Sequence, residues 1–288
     1  MSRLKSHRIR IDRLVFGGVV FCAVLAICPL IGLIFDLFVN GYKQIHFDFF
    51  IQVNPTPEEA RLFQSAGLLI PGGILNGITG SFSVVAIAVL IAAPLGILMA
   101  LFMYDDHSSR FSNFFHCLIV SLMGIPAIIA GMIVYLWMVE PFHSFSALAG
   151  GVSLAIVMLP MIIYSTLDAL NTLPANMKEE GAALGGTYTN VIFLIILPAA
   201  KDKIISGILV AASRAVGITS PLIITALGSS EVRWNVQEPV STVSMLLWNF
   251  FNNPSMVDMV WTTALFLFLT VIVLNIIAKS IYHGQIHT

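Results

Sequence analysis

The chain has 288 residues, 58% of them hydrophobic and only 10% charged, with a mean hydropathy of +0.93. Soluble domains carry about 25% charged residues, so this composition excludes a water-soluble enzyme, a nucleic-acid-binding module and a disordered chain. Its 14 basic and 15 acidic residues nearly balance, which points to no polyanionic partner and leaves a polytopic, all-α membrane protein.

Residues 1–13 hold Arg3, Lys5, Arg8, Arg10 and Arg13, and an apolar run follows from Leu14 to about Val39, interrupted by a charge only at Asp36. The run is longer than the apolar region of a secretory signal, and no small-x-small cleavage site follows it. It is expected to be an uncleaved first transmembrane helix with a cytoplasmic N-terminus. The segment from about 41 to 76, with Asn54, Pro55, Thr56 and Pro57, then reads as an extracytoplasmic loop containing a short helix at Pro57–Gln64.

No Asp, Glu, Lys or Arg lies between Arg61 and Asp105, Arg110 and Glu140, Glu140 and Asp168, or Asp258 and Lys279. Each gap can hold the roughly 20 apolar residues of a membrane-crossing helix. Spans are predicted at Ile78–Met103, Phe114–Val139, Phe145–Leu167, Ile204–Leu227 and Val257–Ala278, which makes about six in one permease-like domain covering 14–288. This topology places ten basic residues inside (Arg3, Lys5, Arg8, Arg10, Arg13, Arg110, Lys178, Lys201, Lys203 and Lys279) and three outside (Lys43, Arg61 and Arg233). That bias agrees with both termini being cytoplasmic. The remaining basic residue, Arg214, falls within a span.

The outer loop from about 229 to 254 carries Trp234, Trp248, Phe250 and Phe251, which suit an interfacial position. Cys22, Cys28 and Cys117 sit in apolar stretches and read as small hydrophobes, not as disulfide or metal partners. His283 and His287 have a spacing that metal ligands could use, but without an acidic or cysteine neighbour they read as a solvated tail. No metal site is expected.

The cytoplasmic loop from about 171 to 198 has its own internal order. Thr172 and Pro174 suit a helix start, Ala175 to Leu184 is rich in helix formers, Gly185 and Gly186 supply a stop, and a second helix begins after Thr187. The product is two short helices and a tight bend lying across the membrane face.

Several of these residues resemble a known pattern. Glu179, Gly185 six positions on, Ile195 ten further, then Leu197 and Pro198 have the spacing of the EAA loop of bacterial ABC importer permeases, with Glu180 and Gly181 where alanines are usual. Pro94, Leu95, Gly96, Ala100 and Asp105 resemble the PLG...A...E region of phosphate-type permeases. The run from Gly124 to Gly131 resembles their GVPSIVxG signature, with Ala127 in the place of serine. Arg214 to Pro221 resembles RAxGETAP, with Ile218 in the place of glutamate. The resemblance spans most of Gly73–Leu227 and is to the A-type subunit of the phosphate-transport family of ABC importer permeases.

The resemblance implies a type I ABC importer permease fold in a bacterial cytoplasmic membrane. It further implies a coupling helix, with Glu179, Glu180, Gly181, Gly185, Leu197 and Pro198 meeting a cytoplasmic ATPase. The implied partners are two ABC ATPase subunits, a second related permease, an extracytoplasmic phosphate-binding protein and membrane lipid; no nucleic acid is implied. The chain contains no G-x-x-x-x-G-K-[ST], so ATP and Mg2+ are expected on the ATPase and no cofactor on this chain.

A charged residue at a helix centre costs roughly 2.5–3.5 kcal/mol on insertion scales, so Arg214 should face protein or water. It either lines an anion pathway, together with Thr219 and Ser220, or pairs internally to fix packing. Because Ile218 and Ala127 depart from the pattern, import of sulfate, molybdate or tungstate is the alternative to phosphate. A secondary transporter and an intramembrane enzyme are weaker readings. Asp36, Asp168 and Asp258 sit at predicted span edges, and no H-E-x-x-H, G-x-S-x-G or intramembrane aspartate pair occurs.

Overall fold

The computed structural model describes residues 2–105, 110–174 and 176–283. Ala175 and His287 lie outside the described residues, as do the side chains of Arg3, Lys5, Arg8, Arg10 and His283. Among the described residues the chain is helical, with a single isolated bridge between Leu227 and Val240.

Helix α1 runs through Ser2–Gly41. Its side chains are exposed from Val15 to Leu33, and it meets the rest of the molecule near its far end. There Phe38 packs edge-to-face on Phe268, and Gly41 approaches so closely that a Cβ would lie 2.7 Å from that of Leu265. Helix α2 (Phe47–Ile51) and helix α3 (Pro57–Ser65) follow. The second starts where expected, because Pro57 needs no N–H partner in the first turn and Thr56 forms a capping box with Glu59.

Helix α4 (Leu75–Asp105) and helix α8 (Ala147–Asn171) form the central pair. Both are apolar on every side, so small residues determine where they meet. A Cβ on Gly96 would lie 2.7 Å from Ile162, and one on Gly151 would lie 2.4 Å from Ile87. Val84, Ala88 and Ala92 of α4 pack with Leu154, Ala155, Met158 and Ile162 of α8, and the core is extended by residues of the later helices.

Between the two, helix α5 (Arg110–Gly124) and helix α6 (Ala127–Val134) replace the single expected span at Phe114–Val139. They are bent by 101° at Ile125–Pro126. Proline has no N–H and restricts the residue before it, so the helix stops there and restarts with Pro126 as its cap. A π turn at Tyr135–Val139 leads to helix α7 (Glu140–Phe142).

After α8 come helix α9 (Met177–Ala183), helix α10 (Tyr188–Val191), a π turn at Ile192–Ile196 and helix α11 (Leu197–Val216). The expected span Ile204–Leu227 is also broken. Its helix ends at Val216, and Gly217–Thr219 lead into helix α12 (Ser220–Thr225), which starts at Pro221 in its first turn. Helix α13 (Val243–Phe251) and helix α14 (Val257–His283) complete the chain. Four stretches are long and apolar enough to cross a membrane uninterrupted: Val15–Gly41, Leu75–Asp105, Ala147–Asn171 and Pro254–Tyr282. Counting the bent α5–α6 pair as one broken span gives five among the described residues, against the six expected; α11 with α12 does not meet the length and composition of a span.

Contacts sort the helix termini into two ends. Lys178 of α9 reaches Asp105 at the end of α4, Lys203 of α11 bonds Thr172 at 2.9 Å, and the same ammonium lies 5.2 Å from the centre of the Tyr282 ring of α14. At the opposite end Ile74 N–H donates to Phe49 at 2.9 Å, Asn76 donates to Ser229 at 2.7 Å, and Ala147 N–H donates to Glu238 at 3.0 Å. Because α1 meets α14 near the start of α14, its basic N-terminus points to the α9 end.

Candidate functional site: the α9 loop and the Arg214 groove

Two regions carry the residues singled out from sequence. The first is the loop at the α9 end. Met177 and Leu173 pack on a cluster built by Ala169, Leu170, Val191, Ile192 and Ile196, which presses α9 against the start of α11. Gly181 is buried on this inner side: a Cβ there would lie 3.0–3.1 Å from Ile195 and Val191, and its carbonyl accepts from Gly186 N–H at 3.2 Å. Two residues of the sequence pattern, Gly181 and Ile195, are thus in contact.

Gly185 is the helix stop that the sequence suggests. Its φ is +84°, and nothing lies within 4 Å of where a Cβ would be. A left-handed turn, not close backbone approach, requires it there. The turn pushes Leu184 outward, 87% exposed, beside exposed Ala182, Ala183 and Glu179. Glu180 instead accepts from the Asn176 amide. Leu197 packs into the loop cluster and exposed Pro198 occupies the first turn of α11. The pattern residues therefore divide into an outward tip and an inward support.

Sequence reasoning missed what ties α9 to α4. Lys178 forms an ion pair with Asp105, and its ammonium lies 5.9 Å from the ring centre of Tyr104 and 5.4 Å from that of Tyr188. Burial, and then a hydrogen bond to Asp105, push the Tyr188 phenol above its ordinary pKa. These residues lie up to 84 positions apart, and no local pattern links them.

The second region surrounds Arg214, in the last turn of α11. Its guanidinium is exposed and approaches the Met161 sulfur at 3.8 Å; among the described residues no carboxylate forms an ion pair with it. It lines a groove of about 250 Å3 between α5, α6, α8 and α11, whose other walls include Leu122, Met123, Ile133, Val157 and Met161. Ile218 does not face this groove. The helix has ended before it, so its side chain packs against the central core and its carbonyl accepts from Ser244 at 3.3 Å. Thr219 and Ser220 are likewise not among the groove's walls: Thr219 donates to the Ser244 carbonyl at 3.4 Å, and Ser220 opens α12. Just beyond Met161, Tyr164 and His116 form a polar pair that was not anticipated, with ring nitrogen and hydroxyl 3.3 Å apart.

The described residues thus form a helical body with membrane-length spans, a structured loop at one end and a groove holding Arg214. The family of binding-protein-dependent transport system inner membrane components matches residues 92–284. The chain belongs to this family.

It is thus the multi-pass membrane component of a transport system and not itself an enzyme. Similar proteins include the phosphate transport system permease protein PstA of Haemophilus influenzae, 30% identical over 95% of this chain and 94% of the relative. The probable phosphate transport system permease protein PstA of Methanocaldococcus jannaschii is 33% identical over 92% of each. In fold, the chain resembles the MetNI methionine ABC transporter in an inward-facing conformation, with a TM-score of 0.52, 16% identity, and coverage of 70% of this chain and 91% of that one.

Proposed function

We propose that this chain is the A-type permease subunit of an ATP-driven importer of inorganic phosphate. Full-length similarity to two phosphate permeases carries the substrate assignment. The unpaired Arg214 in its groove supports it chemically, since a fixed guanidinium presents a fork of N–H donors to an oxyanion leaving water.

The partners are two cytoplasmic ATPase subunits, a second related permease and an extracytoplasmic phosphate-binding protein. The α9 end is the cytoplasmic one, supported by the concentration of basic residues there and by α1 and α14 both placing their termini at that end. Glu179, Leu184 and Gly185 form the tip that docks in an ATPase cleft; Glu180, Gly181, Leu197 and Pro198 hold it in place. Movement of the ATPases is transmitted through this rigid loop, and the membrane cavity alternates between the two sides. ATP and Mg2+ stay on the ATPase.

Arg214 lines the anion route, with Thr219 and Ser220 shaping the α11–α12 break above it. With no ion-pair partner among the described residues, the guanidinium stays free for a ligand. The same freedom suits other oxyanions, and import of sulfate, molybdate or tungstate is the second reading. Phosphate uptake by the reconstituted complex, competed with sulfate and arsenate, tests the assignment. Competition by arsenate and not by sulfate is expected; equal competition by sulfate would favour the second reading. Arg214→Ala is expected to abolish uptake, and wild-type uptake in that variant would remove Arg214 from the route.

A further inference from the structure

We propose that His116 and Tyr164 extend the Arg214 groove into a hydrogen-bonding station for a tetrahedral oxyanion that still carries a proton. The inference rests on the reading of Arg214 as part of the anion route and assigns two further residues to it.

The groove wall is otherwise apolar around Arg214, and one guanidinium cannot satisfy an ion with four oxygens. Tyr164 lies three residues after Met161 on α8, so it occupies the same face one turn closer to the α9 end. Met161 is the residue that Arg214 touches. His116 lies seven residues before Met123 of the groove wall, two turns along the same face of α5. The two side chains meet across the gap: nitrogen and hydroxyl are 3.3 Å apart, and the rings are edge-to-face at 5.9 Å. That separation is long for a hydrogen bond to a hydroxyl, and His116 is exposed while Tyr164 is half-buried. Both groups therefore retain capacity for a third partner. An ionisable ring within a span belongs beside protein or water, not lipid.

The chemistry of the pair distinguishes among anions. Tyr164 O–H donates to an oxyanion oxygen, as Arg214 does. The imidazole differs from both, because a neutral ring carries a nitrogen that accepts. Phosphate and arsenate near neutral pH keep an O–H for that acceptor, whereas sulfate has none and would leave it unpaired. Where a bound ion shields this acceptor from water, an ion that brings a proton to it is favoured over one that does not. An anion moving from Arg214 toward the α9 end meets this pair within one helical turn.

The test uses the complete importer in proteoliposomes, with radiolabelled inorganic phosphate as the probe. Tyr164→Phe and His116→Leu are each expected to lower phosphate uptake about tenfold, with ATPase subunits retained on purification. His116→Gln, which keeps an acceptor, is expected to hold most of the activity. Sulfate should compete better against His116→Leu than against wild type, a change that a merely structural contact between α5 and α8 would not produce. In a background with Cys22, Cys28 and Cys117 replaced by alanine, Tyr164→Cys and His116→Cys should react with an anionic methanethiosulfonate, and phosphate should slow the reaction. Wild-type uptake in both Tyr164→Phe and His116→Leu, or no reaction at either introduced thiol, overturns the station. If Arg214→Ala nevertheless abolishes uptake, the anion route stands without it; if Arg214→Ala is also silent, the route fails too.

Discussion

Lys178 illustrates how a single side chain can join parts of the chain that share no local pattern. Its ion pair with Asp105 is about one-third exposed on each side, so alone it is worth under about 1 kcal/mol, and the two facing rings add roughly 0.5–1 kcal/mol each. Lys178→Met is therefore expected to cost about 1–2 kcal/mol of loop anchoring, seen as faster amide exchange across α9 and less phosphate moved per ATP hydrolysed. Combining Lys178→Asp with Asp105→Lys should restore part of the loss. Gly185 offers a sharper test, because a side chain there meets no neighbour but must adopt a positive φ. Gly185→Ala should destabilise the turn by about 1 kcal/mol and leave some uptake, whereas Gly185→Asp, with a charge at the docking tip, should abolish it while the protein remains in the membrane. At the other end, the Thr56 backbone N–H, and then its hydroxyl, hold the Glu59 carboxyl below its ordinary value. A carboxyl whose pKa is lowered by folding contributes above its unfolded value and loses that contribution as pH falls through the folded one. Fraying of α3, followed by amide exchange, should thus appear only on acidification below about pH 4.5, and Glu59→Gln should remove most of that pH dependence.

Among the helices, what was legible in the sequence was where charge is missing. The gaps between Arg61 and Asp105 and between Glu140 and Asp168 correspond to α4 and α8. The broken pairs were less legible. Gly124–Ile125–Pro126 and Gly217–Ile218–Thr219–Ser220–Pro221 lie inside predicted spans, where proline and glycine read as kinks; in the structure they go further and end one helix and begin another. Helices apolar on every face give no periodic signal for which side is inward, so the α4–α8 contact had to be found through Gly96 and Gly151. The same logic brings the two breaks together: a Cβ on Gly131 of α6 would lie 2.7 Å from Pro221 Cα of α12. Gly131→Val is expected to force α6 and α12 apart at a cost of about 1–3 kcal/mol, measured as a lower melting temperature in detergent. The π turn at Ile192–Ile196 adds one residue between the loop and α11. Deleting Leu194 should turn the i→i+5 bonds into i→i+4 bonds with little change in the phase of α10 relative to α11, so the packing of Val191 and Ile192 on Ala169 and Leu170 should survive, checked as uptake that stays coupled to ATP hydrolysis.

For the molecule as a whole, the distribution of scarce charge suggests an orientation, and contacts between described helix ends group those ends into two sets. The candidate site was only partly legible. Arg214 stood out as a lone charge in a span, but His116 and Tyr164, 48 positions apart, meet only because α5 folds back along α8. Helix α1 stands apart from this assembly: Gly17, Gly18 and Gly32 have nothing within 4 Å, and attachment begins only near Leu37. The exposed stretch from Val15 to Leu33 is therefore expected to lie outside the cooperative unfolding unit of the bundle. Shortening α1 from its N-terminus should leave the melting temperature of the remaining bundle unchanged while impairing delivery of the chain to the membrane, so that the two roles of one helix, address and anchor, separate along its length.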